Sequence, residues 1–125
     1  MKRQQNREKA MISVYQYLLF RRDIDELIAD NIEEAERNED TYMMDVTHQA
    51  VLNEERYAGY IGNVLEGWSY DRLGYIEQAI LLMGCAEFDL KQLEMNVIID
   101  EYVRLAKKYC DADSYKLING VLDKI

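Results

Sequence analysis

The sequence predicts an all-α fold of six or seven packed helices, and three observations support this prediction. The chain has 125 residues and no proline, so the commonest helix breaker is absent. Apolar side chains recur three and four positions apart in every long segment, which is the helical period. No segment sustains the period-two alternation of a half-buried strand. The length predicts one domain over 1–125, and 49% hydrophobic residues supply a core.

The first two helices are predicted in the amino-terminal third. A first helix is expected over residues 4–21, because one side of it would carry apolar side chains at helical spacing. These side chains are Ala10, Met11, Val14, Tyr15 and Leu18. Asp23 or Asp25 can cap a second helix, which should end near Asn38.

The middle of the chain predicts a long helix and a connector. Asp40 or Thr41 opens a segment whose apolar residues keep near-helical spacing to Leu65, so one long helix, straight or bent, is expected. Residues 67–74 contain turn signals and form a connector.

Three helices are predicted in the last third. Residues 76–90 are apolar nearly all round between 79 and 86, so this helix should be surrounded by the others. Asn96 can cap the next helix, and Asp113 or Ser114 can cap the last one.

Charge is distributed unevenly along the chain. The formal net charge is −9, yet residues 1–22 hold six basic side chains against one carboxylate. Residues 23–45 hold ten carboxylates against one arginine. Two interpretations of this basic start are open: a solvated helix end, or a short arm that contacts RNA or DNA.

Motifs for catalysis and for cofactors are missing. The six glycines match no phosphate-binding pattern. His48, the only histidine, follows Asp45 at a spacing that could place two metal ligands on one helix face, but a di-iron bundle needs a second histidine. We therefore expect no enzyme, no metal and no cofactor. Cys85 and Cys110 lack metal or disulfide spacing and are expected to be small apolar core residues.

The chain lacks the features of a membrane protein. It contains neither a run of about 18 apolar residues nor a signal-peptide pattern, so a cytoplasmic protein is expected.

Five blocks of residues resemble the NusB transcription antitermination family. The carboxy-terminal blocks are V-I-I-D-E at 97–101, L-A-K-K-Y at 105–109 and D-S-Y-K-L-I-N-G-V-L-D-K-I at 113–125. Two further blocks, at 7–15 and 76–81, agree in the same order. The resemblance covers essentially the whole chain except residues 22–45.

This resemblance implies a fold, a function and partners. The fold would be all-α, in two small packed helical subdomains, without catalytic activity. Members of the family pair with the small-subunit ribosomal protein NusE and bind boxA, a short single-stranded RNA element of ribosomal RNA leaders. The complex helps RNA polymerase to resist termination, which supports transcription of ribosomal RNA.

The resemblance also implies site residues. Residues 1–9 and 109–116 would together form one RNA-facing surface, and two positions would face the ribosomal protein. The predicted RNA-binding residues are Lys2, Arg3, Arg7, Lys9, Tyr109, Asp113 and Lys116. The predicted partner-binding residues are Tyr15 and Glu77.

Departures from the family pattern keep other interpretations open. Gln4 and Gln5 stand where the family commonly has arginines, Asp100 replaces an asparagine, and the proline expected near Met95 is missing. Fewer cations mean weaker electrostatic binding of RNA. The main alternative is a protein-interaction module of the same fold that has lost RNA binding. A third hypothesis is a helical metalloenzyme. Tyr15 and Tyr109 could be core aromatics, Glu77 could be a surface carboxylate, and the chain could form a homodimer.

Overall fold

Eight α-helices and one short 3₁₀ turn make up the computed structural model, which describes residues 2–125. The helices are α1 (Lys2–Phe20), α2 (Ile24–Asn31), α3 (Glu34–Glu39), α4 (Thr41–Leu52), α5 (Glu54–Val64), α6 (Tyr75–Leu90), α7 (Met95–Tyr109) and α8 (Ala112–Lys124). The 3₁₀ turn spans Tyr70–Arg72 within the predicted connector. No strand occurs in the described residues, so the all-α prediction is confirmed, with eight helices rather than six or seven.

Helix α6 is the centre of the fold. It packs against α1, α4, α5, α7 and α8, and every residue from Gln78 to Glu87 is buried. The apolar run at 79–86 therefore predicts the central helix correctly. A single hydrophobic cluster includes side chains from both the amino-terminal helices and α6–α8, and Cys85 is one of its buried members.

The predicted second helix is two helices. The chain leaves helical geometry at Ile32, whose backbone is extended at φ −126° and ψ 124°. The side chain of Ile32 is only 1% exposed, so the break places an apolar residue in the core. The helix resumes as α3, which has no buried residue and carries three glutamates among its six side chains.

The predicted long helix is also divided, and the division lies at Asn53. The backbone of Asn53 has φ −108° and ψ 23°, and its side-chain amide donates to the carbonyl oxygen of Gln49 at 3.0 Å. Gly59 and Gly62, the two glycines of the predicted long helix, both lie inside α5. The break between α4 and α5 therefore occurs at the polar residue and not at the glycines.

Two of the predicted helix caps are confirmed. The carboxylate of Asp23 accepts from the amide of Glu26 at the start of α2. The carboxylate of Asp40 accepts from the amide of Met43 at 3.2 Å and begins α4. Aspartate at these positions satisfies an amide that the helix itself leaves without an acceptor.

Two other caps were predicted at the wrong residues. Helix α7 already begins at Met95, so Asn96 lies within its first turn. Helix α8 is capped by Asp111, whose carboxylate accepts from the amide of Ser114 at 2.8 Å. Asp113 lies inside the helix, where a carboxylate in the first turn is favourable to the helix dipole.

Helix α1 contacts several parts of the fold, which determines the surroundings of the basic amino-terminal residues. Helix α1 packs against α2, α4 and α6, and α7 packs against α6 and α8. Side-chain contacts connect the first turns of α1 to Glu36 of α3 and to Lys108 at the end of α7. No helix within residues 2–125 is long and apolar enough to cross a membrane.

Candidate functional site

On one side of α1, the first two cations of the predicted basic arm contact acidic side chains. Lys2 Nζ lies 2.7 Å from Glu36 Oε1, and Arg3 Nε lies 2.9 Å from the Asp40 carboxylate. The Arg3 guanidinium also stacks over the ring of Tyr42, 4.8 Å from its centroid. The acidic segment and the basic arm, separate in the sequence, therefore meet in the fold.

The contact between Lys2 and Glu36 changes the pKa of both groups. The hydrogen bond from Lys2 lowers the pKa of Glu36, and the same bond raises the pKa of Lys2. Asn6, which is buried, donates to Asp40 at 3.2 Å and to Glu36 at 3.4 Å. A phosphate that approached Lys2 or Arg3 from this side would meet carboxylates as well as cations.

Arg7, one of the predicted RNA-binding residues, is buried. Its side chain is 3% exposed, and its Nε and Nη2 donate to the carboxylate of Glu87 at 2.8 and 3.0 Å. Its Nη1 donates to Glu101 at 3.3 Å. Because all three guanidinium nitrogens have partners inside the protein, Arg7 is not available to a phosphate in this structure.

The carboxylate of Glu87 is the acceptor at the centre of a buried cluster that consists of Arg7, Tyr42, Glu87 and Tyr102. The Tyr42 hydroxyl donates to Glu87 Oε1 at 2.7 Å, and the Tyr102 hydroxyl donates to Glu87 Oε2. Burial and the adjacent carboxylate raise the pKa of both tyrosines. This buried Glu87 cluster joins α1, α4, α6 and α7.

The other side of α1 meets the end of α7 along a line of contacts that we call the α1–α7 seam, formed by Gln4, Glu8, Glu101, Arg104, Lys108 and Tyr109. Glu8 accepts from Lys108 Nζ at 2.7 Å and from the Tyr109 hydroxyl. Hydrogen bonds from these two groups lower the pKa of Glu8. Burial and the bond to Glu8 raise the pKa of Tyr109 to about 12.

Glu101 occupies the middle of the seam. It accepts from Gln4 Nε2 at 2.9 Å and from Arg104 Nη2 at 3.2 Å. The Nε of Arg104 is buried and has no hydrogen-bond partner among residues 2–125. The sequence interpretation did not select Arg104 or Lys108, although both lie in the cationic stretch 104–108 of α7.

The remaining predicted RNA-binding residues are exposed. Tyr109 is 37% exposed, and Lys9, Asp113 and Lys116 also face solvent. The contact of Glu8 with Tyr109 brings the predicted segments 1–9 and 109–116 together. Met1 lies outside the described residues.

The two predicted partner-binding residues have different surroundings. Tyr15 is half-buried and lines an open groove with four other largely apolar side chains, Ile12, Tyr75, Ile76 and Tyr109. Tyr75 is 46% exposed there. Glu77 closes the first turn of α6, because its Oε1 accepts from the amide of Gly74 at 2.8 Å.

His48, the only histidine, contacts Asp25 and not Asp45, the carboxylate that the sequence suggested as a second metal ligand. His48 Nε2 lies 2.5 Å from Asp25 Oδ1, and both side chains are exposed. Within residues 2–125, no group of three or more potential ligands is arranged to hold a metal ion.

A family model and individual relatives both match this chain over nearly its whole length. The family model described as "NusB family" matches residues 4–125 of this chain. The transcription antitermination protein NusB of Exiguobacterium sp. is 38% identical over 128 residues, which cover 100% of this chain and 97% of the relative.

Solved structures resemble the chain over almost its whole length. One of them is a crystal structure described as antitermination factors NusB and NusE in complex with dsRNA. A chain of that structure superimposes on this one with a TM-score of 0.86 and is 32% identical in sequence. The match covers 98% of this chain and 93% of that one. The solution structure of NusB from Aquifex aeolicus gives a TM-score of 0.82 with 34% identity, covering 99% and 86%.

Proposed function

The chain belongs to the NusB family, and on this premise we propose that it is a transcription antitermination factor that binds boxA-type single-stranded RNA together with the small-subunit ribosomal protein NusE. The observation that carries the proposal is the family match over residues 4–125. The pair would act within the RNA polymerase antitermination complex during transcription of ribosomal RNA. It would work by binding rather than by catalysis, in the cytoplasm.

The RNA would be held where α1 meets the end of α7. Tyr109 is partly exposed there, and an aromatic ring can stack on an unpaired base. Asp113 and Lys116 on α8 and Lys9 on α1 are exposed polar groups that could contact base edges or phosphates. Lys2 and Arg3 could join them only if phosphates compete with Glu36 and Asp40.

The ribosomal protein would occupy the groove around Tyr15. Apolar and aromatic side chains line this groove, and aromatic residues are enriched where proteins associate. Glu77 would contribute from the first turn of α6, in addition to its bond with Gly74. A homodimer that used the same groove would compete with the ribosomal protein.

One observation favours a second candidate function, a protein-interaction module without RNA binding. Three of the cations predicted to hold phosphates, Lys2, Arg3 and Arg7, contact carboxylates instead. A protein with net charge −9 also repels nucleic acid outside any local basic surface.

Titration of a fluorescent boxA RNA distinguishes the two functions. The protein, its cognate NusE and the mixture are each titrated, and anisotropy reports binding. We expect the mixture to bind much more tightly than either protein alone. Unlabelled single-stranded and double-stranded boxA competitors, added separately, show which form is preferred. Formation of the protein pair without RNA binding would support the interaction module.

A further inference from the structure

We infer that Arg104 and Lys108 on α7 are the phosphate-binding cations of the RNA surface, in place of the amino-terminal cations Lys2, Arg3 and Arg7. This inference rests on the proposed function and concerns which side chains perform it. None of the predictions from the sequence included these two residues.

The two cations lie together on the exposed side of α7. They are four positions apart, so they fall on the same face of the helix. Their side chains are 41% and 57% exposed. Tyr109 follows Lys108 directly, and Lys108 Nζ lies 5.6 Å from the centroid of its ring. A phosphate beside Arg104 and Lys108 would therefore have an aromatic ring next to it, on which the attached base could stack.

Arg104 still has unused donors. A guanidinium offers five N–H groups and can bind a phosphate through two of them. In Arg104, the bond to Glu101 uses Nη2, while the buried Nε–H has no acceptor within residues 2–125. A buried donor without an acceptor is costly, and a movement of the Arg104 side chain that exposed Nε to a phosphate oxygen would remove that cost.

The neighbourhood of Arg104 and Lys108 differs from that of the amino-terminal cations. Arg104 and Lys108 each contact one carboxylate, Glu101 and Glu8, but residues 104–108 themselves contain three cations and no carboxylate. Residues 33–40, which Lys2 and Arg3 contact, contain five carboxylates and one arginine. Phosphates are attracted by local positive charge, so α7 offers the more favourable surface.

Glu8 has a positioning role in this arrangement. Its carboxylate holds both Lys108 Nζ and the Tyr109 hydroxyl, which fixes the cation beside the ring. It also carries a negative charge next to the inferred phosphate position.

Two double variants with the same change of charge test the inference. The first is Arg104→Gln with Lys108→Gln, and the matched control is Lys2→Gln with Arg3→Gln. Each is mixed with cognate NusE and titrated with fluorescent boxA RNA at several salt concentrations. Loss of two phosphate contacts should weaken binding on the order of tenfold near 0.1 M salt and reduce the salt slope by about 1.4. The control should change both quantities much less.

Other outcomes would overturn the inference or the function separately. If the control double variant loses as much affinity as the α7 double variant, or more, the assignment to α7 is wrong while the proposed function stands. If the unsubstituted protein with NusE does not bind boxA RNA, the proposed function itself fails. Both double variants replace exposed or half-exposed side chains, so circular dichroism should show unchanged helix content.

Discussion

Arg7 and Glu87, eighty positions apart in the chain, form a doubly hydrogen-bonded ion pair with distances of 2.8 and 3.0 Å, and neither side chain is more than 3% exposed. A buried pair of this kind contributes little net stability, because desolvation of two charges offsets much of their attraction. Removal of one partner alone is different, because it leaves the other as an uncompensated buried charge.

The variant Arg7→Gln should therefore be strongly destabilised. We expect a loss of about 3 to 5 kcal/mol in the free energy of unfolding, measured by urea titration. Lys9→Gln removes the same charge from an exposed position on the same helix and should change stability by less than about 0.5 kcal/mol. A loss below about 1 kcal/mol for Arg7→Gln would show that Glu87 is adequately satisfied without Arg7.

Leu82 should be one of the residues on which stability depends most. It is 1% exposed in the central helix α6, so Leu82→Ala should cost about 2 to 5 kcal/mol through lost burial and a residual cavity. Leu52→Ala is a matched control, because Leu52 is 83% exposed at the end of α4. Thermal melts of the two variants should separate clearly. Equal melting temperatures would contradict the assigned core.

Two glycine-to-alanine substitutions should have opposite effects. Gly84 lies on α6, and a Cβ there would be 2.9 Å from Leu122 Cδ2, which is fully buried. Overpacking at Gly84 should cost about 1 to 3 kcal/mol. Gly59 lies in α5 with no atom within 4 Å of an added Cβ, so Gly59→Ala should gain about 0.5 to 1 kcal/mol from helix propensity. Stabilisation by both substitutions, measured in urea, would show that α8 can move away from α6.

The contribution of Glu8 to stability should depend on pH. Hydrogen bonds from Lys108 and Tyr109 lower its pKa in the folded state below the ordinary value of 4.5. A carboxyl group with a depressed folded pKa stabilises the fold at pH values above its unfolded pKa, and this contribution is lost as the pH falls through the folded pKa. Glu8→Gln should therefore be less stable than the unsubstituted protein by about 0.2 to 1 kcal/mol near neutral pH.

Urea midpoints collected in steps from neutral pH to about pH 3 would measure this effect. The difference between Glu8→Gln and the unsubstituted protein should shrink below about pH 4.5. Glu66→Gln is a control with a weak contact, since Glu66 lies 3.5 Å from Lys124 and is 88% exposed. A difference for Glu8→Gln that stays constant over the whole range would contradict the assigned pKa direction.

Local patterns predicted the elements of the fold but not their divisions. The apolar run at 79–86 identified the central helix because a helix without a polar face has to be enclosed. The breaks at Ile32 and Asn53 were missed because neither position carries glycine or proline, the usual local signals. At Ile32 the extended backbone is accompanied by burial of its side chain, which is a tertiary effect.

The proximity of residues 1–9 to the end of α7 was predicted, but the ion pairs around them were not. The amino-terminal segment and Tyr109 do come together, through Glu8. The burial of Arg7 was not predicted, because an arginine in a basic run resembles its solvated neighbours and its acceptor Glu87 lies eighty residues away. One signal was present in the sequence: Glu87 directly follows the apolar run, and a carboxylate on a helix enclosed by others needs a donor.

The buried Glu87 cluster has a consequence for the order in which the chain acquires its structure during synthesis. Helix α1 leaves the ribosome first, yet the carboxylate that Arg7 needs belongs to α6, and the hydroxyl of Tyr102 follows fifteen residues later. Until those residues emerge, a docked α1 would bury a cation without its acceptor. The native position of the first helix therefore becomes favourable only when most of the polypeptide has been made.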